Sequence, residues 1–583
     1  MTGDRQGMTR DGQGMTKEGF QEMSAANART DPPAPAARGK EARGSRPAGS
    51  RTIRNPILTG FNPDPSILRV ADDYYIATST FEWFPGVCIY HSRDLEHWRL
   101  AARPLDRTGL LDLRGTPNSG GVWAPCLSWA SGRFHLVYSE MKRWTGSFKD
   151  CRNYLTTAPS IEGPWSDRVS LNASGFDASL FHDTDGRSWL LNMRWDWRPA
   201  RNQFAGILLQ EYSRQEEKLL GEPVPIFSGT ALGLVEGPHL YRREGWYYLL
   251  TAEGGTFATH AVTVARSRDI RGPYEVMPGN PLLTSTEDPS LELKSAGHGS
   301  LVETQGGAWL LARLCRRPEA RGRSILGRET ALQAVEWTRD GWPRLSGGGR
   351  SPAVEVCVPD LGLAQPDGRS VPPGGPEPGR DDFDAPRLGS RWQTLRIPLD
   401  STMMSLTERP GFLRLKGAES ILSNFRQALV ARRIEDFRAR VTTALQFEPE
   451  SFQQLAGLAA FYSTDSFVYA YVSRAEHASK CLGLMVCERG SVSFPVEKEM
   501  PLEGWPTVHL RFELDHARLA FLYSRDGSGW LRLGWELDAS ILSDEHAVPC
   551  GFTGAFAALC CQDVSGAARC ADFDFLAYEA LQP

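Results

Sequence analysis

The chain has 583 residues, with 65 Lys and Arg against 70 Asp and Glu, a net charge of −5 and 41% hydrophobic residues. That length exceeds a single hydrophobic core and implies two or three domains. The slightly acidic balance, without a long basic block after residue 55, excludes nucleic acid as the expected partner, and no apolar run of eighteen residues points to a membrane.

At the N-terminus Met-Thr recurs at residues 1, 8 and 15, but Gly and charge stand where a coiled coil needs apolar side chains. No apolar core of a signal peptide follows. Ser24 to Ser50 is Ala, Arg, Pro and Gly with little to bury, so residues 1–50 are expected to be a disordered tail. The eleven cysteines, an odd number without a C-x-x-C, read as mostly buried thiols of a reducing, cytoplasmic compartment.

From residue 55 the pattern is β. Five apolar strands stand out: YYIATS (74–79), FHLVYS (134–139), SWLLNM (188–193), WYYLLT (246–251) and AWLLAR (308–313). Each follows a short Gly- or Asp-rich turn, and before each turn lies another short strand: PSIL, APCLSW, ASLF, GPHLY and HGSLV. The residues opening these units are Asp64, Trp123, Asp177, Glu236 and His298, spaced 59, 54, 59 and 62 apart. A repeat of this length predicts a five-bladed β-propeller over residues 51–358, with the opening residues converging on one mouth of the central channel.

Residues 359–380 are expected to be a linker rich in Pro and Gly. Beyond it, residues 381–583 carry stretches such as FVYAYVSR, TVHLRFEL and ARLAFLYSR, read as alternating strands of a concanavalin-like antiparallel β-sandwich. The fold class is therefore all-β.

Three of the five convergent positions are carboxylic acids. They suit either a hard cation such as calcium or divided acid and base work at an acetal. Asp64, boxed by Pro63 and Pro65 with Asn62 able to hydrogen-bond to it, is expected in a partly polar turn that keeps it ionised as a base. Glu236 lies among apolar residues, where desolvation favours the protonated form of an acid. An ionised Asp177, one blade away, would raise the Glu236 pKa further and orient it.

The motifs NPILTGFNPDPS, TSTFEWFPGV, NSGGVWAP, GFDASLFHD, VEGPHLY, TAEGGT, GHGSLV and LGRET cover residues 55–345, and FTGAFAALCCQD with ADFDF lies near the C-terminus. In this order the chain resembles glycoside hydrolase family 43, in the β-xylosidase branch with a C-terminal sandwich. The resemblance implies exo-acting release of D-xylose from the non-reducing end of short β-1,4-xylo-oligosaccharides, with inversion. It implies Asp64 as general base, Glu236 as general acid and Asp177 as the residue tuning that acid. Phe81 and Trp123 are implied to wall the sugar pocket, Arg328 to bind hydroxyls, Thr256 to assist more weakly, and Phe552 or Phe556 of the second domain to close it. No cofactor is required. In parts of the family the equivalent of His298 helps hold a hydrated cation, so His298 is a substrate-side residue at which structural or activating Ca2+ stays open. The alternatives are an α-L-arabinofuranosidase, alone or as a dual activity, and, more remotely, a non-catalytic carbohydrate-binding propeller. An exposed sandwich face would permit a homo-oligomer.

Overall fold

The computed structural model describes residues 49–361, 379–475 and 480–582. The expected tail, apart from residues 49 and 50, and most of the expected linker lie outside the described residues; Ser50, expected in the tail, begins a strand. Five antiparallel meanders follow one another in chain order, each of four strands, with a fifth short strand added to the fourth blade. The first blade begins with Ser66–Val70 and Asp73–Thr78, the second with Gly121–Ala130 and Arg133–Arg143, the third with Ser179–His182 and Ser188–Trp195. Glu236–Arg243 and Trp246–Glu253 open the fourth, Lys294–Glu303 and Trp309–Arg316 the fifth. The first strands of the blades neighbour one another in a closed ring, which makes the array a five-bladed propeller. Ser50–Arg54 pairs antiparallel with Glu355–Pro359, tying the two ends of the propeller together.

The apolar runs of the second strands have a direct physical cause. Successive side chains of a strand face opposite ways, and here both faces meet another blade. Leu190 packs between the second and third blades, whereas Leu191 packs between the third and fourth. Leu310 and Leu311 divide in the same way between the two neighbours of the fifth blade. Each fully buried leucine of this kind contributes roughly 1.5–3 kcal/mol. Continuous apolar strands are thus what a propeller requires.

The C-terminal region is a sandwich of two nine-stranded sheets. Val508–Asp515 lies in the outer sheet and alternates buried and half-buried residues, as its sequence predicts. Ser466–Arg474, containing FVYAYVSR, does not alternate, since every residue but the last is buried. Val468, Ala470 and Val472 face the sandwich core, while Phe467, Tyr469 and Tyr471 face a second apolar layer. That second layer contains Phe61, Phe81 and Trp83 of the propeller. The inner sheet is therefore buried on both faces. It also takes in a propeller strand: Trp83–Phe84 pairs antiparallel with Gln393–Leu395.

Among the described residues no helix is long and apolar enough to cross a membrane. Each of the eleven cysteines is a free thiol, and eight of them are buried.

Candidate active site

The mouth of the channel is built by a recurring backbone kink. Where the first strand of each blade begins, one residue adopts a left-handed conformation: Asp64 (φ 54°), Ala124 (φ 31°), Asp177 (φ 55°), Gly237 (φ 56°) and His298 (φ 41°). Aspartate tolerates this region better than most residues, but each non-glycine instance costs about 1–3 kcal/mol. Pairing register shifts beside three of these kinks, between Trp123 and Cys126, Glu236 and His239, and Gly297 and Gly299. The strain re-aims side chains of the inner strands into one cluster. Gly237 is required sterically, because a Cβ there would lie 3.0 Å from the His298 ring.

Asp64 is 5% exposed. Ser79 Oγ donates to its Oδ2 at 2.7 Å and Arg328 Nη1 to its Oδ1 at 2.8 Å. His298 Nδ1 lies 3.9 Å from the same Oδ1. Burial would raise this carboxyl, but Arg328, His298 and the Ser79 hydroxyl outweigh it, and the pKa falls below the ordinary value. The ionised state was expected from a partly polar turn with help from Asn62, and that cause is corrected here. Asn62 Nδ2 donates to Thr59 O at 2.8 Å, and its Oδ1 accepts from Tyr90 Oη at 2.7 Å and from Arg433 Nη1 at 2.6 Å. Arg433 belongs to the sandwich, so the second domain holds the loop that carries Asp64.

Glu236 is pushed up to about 8 by burial and by the Asp64 charge, with Arg328 and Lys149 pulling the other way. Asp177 is buried and accepts a hydrogen bond from Gly237 N at 3.2 Å, directly beside Glu236. Burial, Glu236 and Asp64 together hold its carboxyl well above the usual range. This corrects the expectation of an ionised Asp177. Ionising both carboxyls beside the Asp64 charge is unfavourable, so Asp177 and the half-buried Glu236 titrate as a coupled pair, both raised.

Asp177, Glu236 and His298 offer ligand atoms within 4.8 Å of one another. These three offer one imidazole nitrogen and carboxyl oxygens, so a calcium ion here would need water for most of its six to eight oxygen ligands. Burial, the largest cause, lowers the His298 pKa, while the Asp64 charge opposes it.

Phe81 and Phe552 flank Arg328 at 5.2 and 5.4 Å and, with Trp123, form the aromatic cluster expected to wall the sugar pocket. Phe81, at φ 50°, exchanges two backbone hydrogen bonds of 3.0 Å with Val122, which sets its ring 5.9 Å from Trp123. Phe552 closes the third side, 5.9 Å from Phe81 and 5.6 Å from Trp123. Phe552 N donates to Ser119 Oγ and its carbonyl accepts from Arg328 Nη2, both at 3.1 Å. Phe556 does not reach the pocket. It is fully buried and stacked on Trp83 at 3.7 Å, as part of the layer between the domains. Arg328 Nη1 also lies 3.5 Å from Thr256 Oγ1. The sandwich loop fits closely here: Gly327, at φ 76°, would place a Cβ 2.0 Å from Thr553 O. The neighbouring Glu329 pairs with Arg317 at 2.7 Å rather than with Arg328.

Lys149 was missed in the sequence. It sits in the hydrophilic loop WTGSFKD, where a lysine carries no signal of its own, yet it is half-buried near the acid and desolvation pushes it down to about 8.

Residues 53–343 match the family described as Glycosyl hydrolases family 43, and residues 380–579 match the Beta xylosidase C-terminal Concanavalin A-like domain. The Beta-xylosidase of Bacillus subtilis (strain 168) is 46% identical over 545 residues, covering 90% of this chain and 99% of that one. Xylosidase/arabinosidase 43B of Humicola insolens is 48% identical over 538 residues, with 91% and 98% covered. The crystal structure of xylan beta-1,4-xylosidase from Bacillus halodurans C-125 superposes with a TM-score of 0.88 at 52% identity, covering 90% of this chain and 100% of that one. With the propeller, the appended sandwich and the three clustered acids in place, the chain belongs to glycosyl hydrolase family 43.

Proposed function

We propose that the protein is an exo-acting, inverting β-xylosidase that releases D-xylose from the non-reducing end of short β-1,4-xylo-oligosaccharides. The observation that carries the reading is the opposite tuning of two carboxyls in one pocket: Asp64 is held ionised by Arg328 and Ser79, while Glu236 is held protonated by burial and the Asp64 charge. Asp64 takes a proton from the attacking water as the water's oxygen bonds to the anomeric carbon. Glu236 gives its proton to the glycosidic oxygen as that bond breaks. Asp177 positions the acid through Gly237 N and shares its protons. Phe81, Trp123 and Phe552 wall the sugar, with Arg328 and Thr256 as polar contacts, and closure by Phe552 favours short chains. The two proton transfers need no metal, and a structural or activating Ca2+ near His298 stays open. The free thiols support a cytoplasmic, reducing setting.

The test uses Glu236→Gln. Loss should be near complete on xylobiose and smaller on p-nitrophenyl xyloside, whose leaving group needs little protonation. Equal losses on both would count against Glu236 as the acid. The name of the Humicola relative couples xylosidase with arabinosidase, so p-nitrophenyl α-L-arabinofuranoside belongs beside these substrates as a side activity.

A further inference from the structure

Two large aromatic side chains stand out on the surface near the acid. Phe148 is 57% and Trp197 49% exposed, yet their rings stack on each other at 4.8 Å and 29°. They come from different blades. Phe148 lies between the second and third strands of the second blade, Trp197 between those of the third. Solvent gives no reason to order such a pair, since half of each ring stays wet. Their backbones are nevertheless fixed. Trp195 Nε1 donates to Ser147 O at 2.8 Å, locking one loop to the other. Arg198 grips Asp196 through Nε at 2.8 Å and Nη2 at 2.6 Å, holding the turn that carries Trp197.

The pair borders a cavity of about 150 Å³ whose lining includes Phe148, Lys149, Cys151, Ser174, Trp195 and Trp197. This cavity neighbours the site through Lys149 and Cys151, which interact electrostatically with Glu236 and Asp177. The Lys149 ammonium lies 4.2 Å over the Trp195 ring and acts electrostatically on Glu236. Trp195 packs 6.3 Å from Phe176, which meets the pocket wall Trp123 edge-on at 5.3 Å. The acid protonates the leaving group, so the side of the pocket marked by Lys149 is where the departing chain runs out.

From this we infer that Phe148 and Trp197 form an aromatic shelf for the leaving-group part of the substrate, beneath xylosyl units beyond the sugar that adjoins the scissile bond. The inference rests on the proposed β-xylosidase reading and adds a chain-length preference to it. A xylopyranosyl ring presents axial C–H groups on its faces and no exocyclic CH2OH, so it lies flat on an aromatic plane. A ready-stacked, backbone-locked pair loses little conformational freedom on binding it.

The experiment compares wild type, Phe148→Ala, Trp197→Ala and the double variant on p-nitrophenyl xyloside, xylobiose, xylotriose and xylotetraose. Neither residue touches the catalytic acids, so the two shorter substrates should keep kcat/KM within about twofold, while xylotriose and xylotetraose should lose about three- to tenfold, mainly through KM. Equal loss on all four substrates, or none on the longer two, overturns the shelf. Selective loss on the nitrophenyl substrate also overturns it and assigns the pair to aromatic leaving groups. Binding is read separately from cleavage in Glu236→Gln: xylotetraose should change tryptophan emission more than xylobiose does, and Trp197→Phe should remove the difference. If wild type cleaves none of the xylosides but this emission difference persists, the activity reading fails and the shelf stands. If cleavage proceeds but the difference is missing, the shelf fails alone.

Discussion

Replacing Phe552 by alanine separates the sandwich's contribution to the pocket from its contribution to folding. The loop stays anchored, because its bonds to Ser119 Oγ and from Arg328 Nη2 use only the Phe552 backbone. What disappears is a ring that packs 5.1 Å from Trp144, 5.6 Å from Trp123 and 5.9 Å from Phe81. If about 60 Å² of that ring faces the sugar, roughly 25 cal/mol per Å² gives about 1.5 kcal/mol, or about tenfold in KM. A second effect has a definite sign. Burial is the largest cause of the raised Glu236 pKa, and water admitted by the missing ring weakens it. The acid then deprotonates earlier as pH rises, and the basic limb of kcat/KM moves down from about 8. The assay is kcat/KM for xylobiose against pH, with thermal unfolding alongside. Phe556→Ala is the control: it removes the ring stacked on Trp83 and should cost about 3–5 kcal/mol of stability while sparing KM per folded molecule. An unchanged KM and an unmoved basic limb in Phe552→Ala would refute the idea that the second domain shapes the reaction.

Lys149→Met removes a cation that favours the ionised form of Glu236, so the basic limb should shift above about 8, opposite in direction to Phe552→Ala, in the same pH–rate measurement. Stability should fall in mild acid for a separate reason. His135 and His182, with rings 4.9 Å apart between the second and third blades, are depressed to about 4 and about 3, first by burial. Below pH about 6.5 the unfolded chain takes up protons that the folded one refuses, so each histidine costs about 1.4 kcal/mol per pH unit down to its folded pKa. Denaturant midpoints measured from pH 7 to 5 should drop steeply in wild type and less steeply in His182→Asn.

Much of the propeller was legible because its signal is local and repeated: a turn and an apolar strand recur five times, and each strand is apolar throughout since two blades cover it. The three acids were legible through their place in that repeat. The left-handed kinks were not, although Asp64, Asp177 and Gly237 are residue types that tolerate them. The electrostatics were harder still. Asp64 is ionised by Arg328, 264 positions away, and Asn62 turns from its neighbour to Arg433, 371 positions away. Asp177 is raised first by burial and then by Glu236 and Asp64, which only the fold brings beside it. FVYAYVSR misled for the same reason: its second face is covered by Phe61, Phe81 and Trp83, which the sequence places far upstream.

The two residues Trp83–Phe84, lent by the propeller to the inner sheet of the sandwich, bear on how such a protein can be recombined. Along the sequence the propeller and the sandwich look separable between residues 343 and 380, and a gene shuffled there would look modular. The cut would nonetheless leave one strand of the sandwich on the wrong side and strip Asn62 of its guanidinium partner. Exchange of the C-terminal half between relatives would therefore succeed only with a matching segment around residues 60–90. These two regions would have to be exchanged together, whatever the spacing between them in the gene.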